Sequence, residues 1–389
     1  MNRKHWAMKK KHTFDNAVVE TFVFDNGNKV SEAHAMIHAT DSSMTFSQQL
    51  DAVEGALRTL TEGDMKNFKP VFLRYFLSDA ANQEEEVRSE KRGTMTGKCA
   101  LSIIQQPPLD GTKVALWCYM MTDVETNFTD SGLFCAKHGE YRHLWCGSAH
   151  NTEADSEKQT QNIFDLYTEQ LGKEGCTLRD NCIRTWFFVN DIDLNYGGMV
   201  RARNTTFAKE GLTNETHFIA STGIGGRQAN PKVLTQMDAY AISGINPDQV
   251  RQLYASTHLN RTSDYGVSFE RGTVVTYPDR QHVFISGTAS IDNRGQIMHE
   301  KDIRKQTDRM IENVEALLKE AGSGFDDVGQ MIVYLRDIAD YQVVMRLCGE
   351  RFGALPLVVV NAPVCRPQWL VEMECVAVKP IAAPQFPRF

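Results

Sequence analysis

The sequence predicts an α+β fold built from three tandem units, which pack as a pseudo-trimer within a single chain. The main observation is a helix followed by a strand that recurs three times, at 45–79, 156–191 and 301–337. Each helix carries a Gln and each strand ends at an Asp, and the two are 30, 32 and 31 residues apart in the three copies. These residues are Gln49 and Asp79, Gln159 and Asp191, and Gln306 and Asp337. A repeat that keeps both elements in register indicates duplicated units that pack on one another.

The repeat divides the chain into a leader and three units of ordinary domain size. We expect residues 1–17 to form a mobile leader, because terminal runs of basic residues are usually solvated. The first unit is expected to span 18–125. A polar linker at 126–140 opens the second unit, which spans 126–257. The third unit spans 258–389, and the three units predict binding sites at the seams between them.

The third unit shows the order of elements most clearly. After its first strands comes a helix at 301–322, whose apolar residues recur at helical spacing and which Gly322 can end in a left-handed conformation. A second helix at 338–352 is followed by strands at 355–361 and 371–378. This order predicts a sheet with helices on one face. Neighbouring units must then cover the other face.

Composition narrows the class of function. The chain has 389 residues, of which 42% are hydrophobic, and its net charge of −7 argues against a nucleic-acid-binding protein. We expect no membrane span, because no apolar stretch reaches 18 residues. The nine cysteines show no close pairing and no metal-ligand spacing, which favours a reducing cytoplasm and predicts no metal site. A monomer is expected, since three units in one chain already supply the trimer.

One resemblance concerns the third unit. Its segment GTASID at 287–292, followed by Gln306, Asn313 and Asp337, resembles the Rid family, also called YjgF or L-PSP endoribonuclease. The resemblance covers roughly 280–380, and the first two units look like degenerate copies. It implies Rid-like units around a central barrel, with active sites between neighbouring units.

A second resemblance points to the chorismatases. The segment VCRPQWLVEMECV at 364–376 looks like their closing motif, and GINPDQVRQLY at 244–254, with Tyr265 and SFERG at 268–272, is similar to the pattern that precedes their C-terminal half. This resemblance implies cofactor-independent hydrolysis of the enolpyruvyl ether of chorismate, or of a related cyclic carboxylate, with release of pyruvate. Whether the ring product is a dihydrodiol or a hydroxybenzoate stays open.

The candidate catalytic residues are Glu374 and Glu372. Both lie on the strand at 371–378, where the period of two places them on one face. Acids on an apolar strand are rarely buried unless they are paired or functional. Burial raises the pKa of a carboxyl, so Glu374 is the first candidate for the general acid that enol-ether cleavage needs, and Glu372 is the second. The alternative is a solvated or salt-bridged glutamate.

The repeat favours one working site. In the second unit Asp238 aligns with Glu374, whereas the first unit carries an apolar residue, Trp117, at this position. Since the acid is not kept in all three copies, we expect a single site, built mainly by the third unit with a wall from the second.

Arginines and tyrosines are the candidates for substrate binding. The planar guanidinium of arginine matches the two oxygens of a carboxylate, and the expected substrate is a small carboxylate. Arg351 has a spacing to Glu374 similar to that of the chorismatase arginine and glutamate, although it could instead interact with the carbonyls at the end of its helix. The other candidates are Arg184, Arg271, Arg366, Tyr254 and Tyr265.

Two other functions remain open from the sequence. One is imine or enamine deamination of the Rid type, which uses an arginine on the strand that here reads LPLVVVN at 355–361, where the matching residue is Val358. The other is a non-catalytic protein that binds small acids on the same scaffold.

Overall fold

The computed structural model describes residues 6–89 and 97–389, except for the side chains of Asp264 and Tyr265. Three successive six-stranded sheets occupy the chain, and each unit has the order βββαβαββ. Within every sheet the strands are arranged 1-2-3-6-4-5 in the unit's own numbering. The predicted α+β class and the three tandem units are therefore confirmed.

The elements of each unit follow the same sequence. The first unit contains β1 (Ala7–Phe14), β2 (Ala17–Phe24), β3 (Glu32–Ala39), α1 (Phe46–Glu62), β4 (Lys69–Leu77), α2 (Ala80–Val87), β5 (Ala100–Gln105) and β6 (Val114–Met121). The second contains β7 (Glu125–Phe128), β8 (Phe134–His138), β9 (Tyr141–His150), α3 (Ser156–Lys173), the short α4 (Leu178–Asn181), β10 (Cys182–Val189), α5 (Ile192–Lys209), β11 (Ala220–Gly225) and β12 (Thr235–Ser243). The third contains β13 (Val250–Leu253), β14 (Gly272–Thr276), β15 (Arg280–Ala289), α6 (Ile303–Glu320), β16 (Val328–Leu335), α7 (Tyr341–Phe352), β17 (Leu357–Asn361) and β18 (Val371–Pro380).

The repeated Gln performs the same structural task in all three units. Each is fully buried, and its side-chain oxygen accepts a hydrogen bond from the backbone N–H that immediately precedes the last strand of its unit. The pairs are Gln49 with Lys113, Gln159 with Leu234, and Gln306 with Leu370. The side-chain amide donates to backbone carbonyls near the helix start. This tether fixes each first helix against its sheet.

The three units close into a ring. Backbone hydrogen bonds near the strand ends join all three units. One links the end of β5 to the segment after β11, a second links the end of β11 to the segment after β17, and a third links the end of β17 to the segment after β5. They run from the amide of Gln105 to Arg227, from Gly225 to Pro363, and from Asn361 to Pro107. The strands β6, β12 and β18 are almost entirely buried, because helices cover their outer face and the other units cover their inner face. The described residues contain no helix long and apolar enough to cross a membrane.

The predicted boundaries between units need correction. Residues 7–14 are not part of a leader, because they form β1, which pairs along its whole length with β2. The expected linker at 126–140 is mostly the β7–β8 hairpin, and β13 already belongs to the third sheet although its residues were assigned to the second unit. Residues 1–5 of the expected leader lie outside the described residues. Each unit thus opens with a pair of antiparallel strands.

Candidate active site at the seam between the second and third units

A small cavity of ≈ 50 Å³ lies between the second and third units. The second unit supplies α5 and β11, and the third supplies the segment before β14, β15, β18 and the loop that precedes β18. The polar residues that line it include Tyr196, Arg203, Ser221, Thr222, Arg271, Cys365, Arg366 and Glu372. Phe269, Ile291 and Trp369 contribute apolar walls.

Glu372 is the carboxyl group that faces this cavity. It is 5% exposed, and no hydrogen bond to its carboxyl comes from the residues that the structure describes. Burial and the negative charge of Glu374 raise its pKa to about 8, against the opposing effect of the Arg271 and Arg184 charges. At neutral pH the carboxyl is therefore mostly protonated and able to donate a proton.

Glu374 has a different environment, although it lies only two residues further along β18. Its carboxylate accepts hydrogen bonds from Arg184 Nη2 at 2.8 Å, Trp186 Nε1 at 2.7 Å and Thr222 Oγ1 at 2.5 Å. Arg184 and Glu374 are both almost fully buried, so they form an interior ion pair across the seam. Neither residue lines the cavity.

Arg203 is a buried cation that forms no ion pair with the residues that the structure describes. Its side chain is 1% exposed and lines the cavity, and its Nε and Nη2 atoms have no hydrogen-bond partner in the described part of the chain. Its guanidinium carbon lies 5.7 Å from the centre of the Phe269 ring. An unpaired buried cation is costly, so this arrangement is suited to an anionic group that arrives from outside.

Two further arginines border the cavity. Arg271 donates hydrogen bonds to the backbone and side-chain oxygens of Asn260, and its guanidinium lies 5.4 Å from the Phe269 ring centre. Arg366 stacks over Trp369 at 4.9 Å. Together with Arg203, these residues give the cavity three positively charged lining side chains, of which Arg271 acts on the carboxyl of Glu372.

Other candidates from the sequence lie elsewhere. Arg351 pairs with Glu315 on the surface of the third unit, and its side chain is 47% exposed. Tyr254 lies under the guanidinium of Arg261 and does not line the cavity, and the side chain of Tyr265 lies outside the described residues. Burial raises the pKa of the Cys365 thiol to about 12, which keeps it protonated and unsuited to act as a nucleophile.

Among the described residues, the seam between the first and second units has no comparable acid. Asp238 occupies the place that Glu374 has in the third unit, and Arg74 of the first unit binds its carboxylate at 2.8 Å. Gln236 stands where Glu372 would be, and its side chain bonds Ile103 O and Ser148 Oγ. Gln236 cannot supply a proton as a carboxyl does, so this seam lacks an equivalent of Glu372.

Sequence reasoning missed Arg203 and Thr222. A signal for Arg203 was present, because Met199, Ala202, Thr206 and Phe207 form a buried stripe on α5 at helical spacing, and Arg203 lies within it. A charged residue on such a stripe indicates an interior role. Thr222 offered no comparable signal, because its position depends on a contact between units.

The comparisons with known proteins place the chain in a family. The family model described as Endoribonuclease L-PSP matches residues 273–379. A RutC family protein of Pyrococcus abyssi is 36% identical over 99 residues, which make up 25% of this chain and 78% of that protein. A RutC family protein of Saccharolobus solfataricus is 34% identical over 99 residues, or 79% of its length. This chain belongs to the RutC, or Rid, family.

A similarity to a solved structure extends beyond the third unit. A chorismatase crystal structure superimposes with a TM-score of 0.63 and 18% sequence identity, covering 81% of this chain and 94% of that one. At this identity the similarity concerns the fold. It shows that the shared fold extends over 81% of the present chain and is not confined to the third unit.

Proposed function

We propose that the protein is an enol-ether hydrolase that releases pyruvate from chorismate or a related cyclic carboxylate. The observation that carries the proposal is Glu372, an acid with a raised pKa that faces a cavity bordered by three arginines. The chorismatase-like fold and the similarity of the closing motif support the same reaction.

In the proposed mechanism Glu372 protonates the methylene carbon of the enolpyruvyl group, and an oxocarbenium ion forms at the adjacent ether carbon. Water adds to this carbon and the resulting hemiketal collapses to pyruvate and the ring alcohol, while the proton lost by the water returns to Glu372. Arg203, Arg271 and Arg366 hold the carboxylates of the substrate. Binding in this enclosed site strengthens these interactions because water is excluded.

The size of the cavity adds a condition. A volume of ≈ 50 Å³ exceeds the roughly 10–15 Å³ that one water needs, but a six-membered ring with two carboxylates needs far more. The lining side chains must therefore move apart when the substrate enters. Arg366 and Trp369 lie in a loop and are the natural elements to do so.

The test is to incubate the purified protein with chorismate and to measure pyruvate, with Glu372→Gln beside the wild type. We expect the variant to lose about 100-fold or more of the wild-type kcat, because the amide cannot supply the proton. Wild-type kcat/KM should fall as the pH rises through about 8, since the acid then loses its proton. Thermal melting checks that the variant is folded.

Two outcomes decide against the proposal. Absence of pyruvate in the wild-type reaction would favour a protein that binds small acids without turnover. Hydrolysis of imines would favour deamination of the Rid type, although β17 carries no arginine to hold the carboxylate of such a substrate.

A further inference from the structure

The inference concerns how the carboxyl of Glu372 is held in place, and it rests on the proposed function. The charges of Glu374, Arg271 and Arg184 act on the carboxyl of Glu372, yet this carboxyl accepts no hydrogen bond from the described residues. A catalytic acid needs a fixed orientation toward the reacting carbon. The carboxyl of Glu372 lies directly against a segment of backbone.

That backbone belongs to Gly287, which lies in a bulge of β15 opposite Glu374. A Cβ added at Gly287 would lie 2.0 Å from Glu372 Oε1 and 3.0 Å from Thr222 Cγ2. The carboxyl therefore rests directly on the bulge, in space that any side chain would fill. A shift of the bulge moves the surface on which Glu372 rests.

Thr222 of the second unit holds this bulge across the seam. Its hydroxyl accepts hydrogen bonds from the amide of Gly287 at 2.8 Å and from Arg184 Nη2 at 2.5 Å, and it donates to Glu374 Oε2 at 2.5 Å. A hydroxyl has one donor and two acceptor sites, so all of its capacity is used. The Arg184–Glu374 ion pair fixes the hydroxyl, and the hydroxyl fixes Gly287.

We propose that Thr222 is a positioning residue for the acid, acting through Gly287, and that the buried Arg184–Glu374 pair serves as its anchor. Thr222 connects two units, so the catalytic geometry of the third unit depends on a hydroxyl of the second. The pair Arg184–Glu374 is then a structural support of the site and takes no part in proton transfer.

The experiment replaces Thr222 by Val and by Ser in the full chain and measures chorismate turnover. Val keeps the shape without the hydroxyl, and Ser keeps the hydroxyl. Thr222→Val should lower kcat by about 10- to 100-fold and change KM by less than about threefold, because a misplaced group costs rate more than binding. Thr222→Ser should recover most of the lost rate. Thr160→Val is the matched control, since Thr160 is also buried and its hydroxyl bonds Ser156 O, and neither residue lines the cavity.

A second measurement does not need turnover. Titration of the Glu372 carboxyl by ¹³C NMR, assigned with Glu372→Gln, should show its pKa falling toward the ordinary value of about 4.3 in Thr222→Val, as the loosened bulge admits water. If wild type releases no pyruvate but the pKa moves, the proposed reaction fails and the positioning role stands. If Thr222→Val keeps both the rate and the pKa of wild type, or loses rate no more than Thr160→Val, the positioning role is wrong.

Discussion

At the scale of single residues, Glu372 and Glu374 show how two carboxyl groups on one strand can have opposite ionisation states. Three donors, one of them the charged Arg184, surround Glu374, whereas Glu372 faces a partly empty cavity and accepts no hydrogen bond from the residues that the structure describes. Hydrogen bonds to the ionised form stabilise it, and burial without them favours the protonated form. In the proposed function, Glu374 is therefore a structural anion and Glu372 is the proton donor.

The sequence predicted the face of the strand on which these residues lie, but not which hydrogen-bond donors surround each carboxyl. Alternation along β18 places Glu372 and Glu374 on the same side of the sheet, and the structure confirms this. The donors to Glu374 are Arg184, Trp186 and Thr222, which belong to the second unit and are far away in sequence. A pattern within one strand cannot reveal them, so sequence alone ranked Glu374 ahead of Glu372.

Arg203 leads to a prediction in which stability and function change in opposite directions. Replacing it by Met removes a buried cation whose Nε and Nη2 have no partner among the described residues. We expect the free energy of unfolding to stay the same or to rise by about 1 kcal/mol, because an unpaired buried charge destabilises the folded protein. The KM for chorismate should rise at least about tenfold, since a bidentate contact to carboxylate is lost.

The matched control is Arg351→Met, because Arg351 is half-exposed and pairs with Glu315 on the surface. A surface ion pair is worth about 1 kcal/mol or less, and no change in KM is expected. Equal KM effects in both variants, or strong destabilisation by Arg203→Met alone, would show that Arg203 has a structural role instead. The measurements are steady-state kinetics and urea unfolding.

At the scale of elements, the tethering glutamines explain why the repeat was visible in the sequence. Gln306 bonds the amide of Leu370 and the carbonyls of His299 and Gln368, and so fastens α6 to the start of β18. An amide that must satisfy both donors and acceptors of the backbone cannot be replaced by an apolar residue. The same requirement applies in the other two units.

Gln306→Leu should therefore destabilise the protein by about 2–4 kcal/mol, because it leaves several buried polar groups unpaired. Gln159→Leu should have an effect of the same size, since Gln159 makes equivalent contacts to Leu234 and Lys232. Gln161→Leu on α3 is the control, because Gln161 is partly exposed and its bonds to Asp165 and Thr206 do not involve the last strand of the unit. Urea midpoints of the three variants that do not differ would refute the tether.

The elements that the sequence missed share a physical cause. β1 carries Lys9, Lys10 and Lys11, which read as a solvated leader, yet such charges are typical of an edge strand protected from further pairing. The β7–β8 hairpin at 125–138 is short and half polar. In contrast, the helices and the central strands were predicted because their apolar period is set by contacts within one unit.

At the scale of the whole molecule, the three units meet in a polar cluster on the inner side of the ring. His34, His143 and His282 occupy the third position of β3, β9 and β15, and all are buried. His143 Nε2 lies 2.7 Å from His138 Nε2, and His282 Nε2 lies 2.9 Å from Glu32 Oε1 of the first unit. The ring of Phe389 lies 4.3 Å from that of His138. Each unit thus contributes a histidine to one shared interior.

This cluster predicts that the assembled ring is sensitive to acid. Burial lowers the pKa of His34 to about 3 and that of His138 to about 4, and the pKa of His143 is lowered as well. In the unfolded chain these groups take up protons below about pH 6.5, while in the folded chain they remain neutral. The stability that they contribute is therefore complete above pH 6.5 and is lost as the pH falls toward 4.

The free energy of unfolding, measured by urea at intervals between pH 7.5 and 5, should fall below pH 6.5 with a slope of up to about 1.4 kcal/mol per pH unit for each histidine. Groups whose pKa is raised in the folded protein, such as Glu372 and His38, act in the opposite direction over part of this range, so the contribution of one histidine is read from the difference between variant and wild type. His138→Asn should reduce the slope by up to about 1.4 kcal/mol per pH unit, the contribution of one proton. His299→Asn, at an exposed position, should leave the slope unchanged. Equal slopes in His138→Asn and in wild type would mean that His138 is not neutral in the folded protein. A retained slope with an early loss of pyruvate release would instead place the acid sensitivity in the catalytic seam.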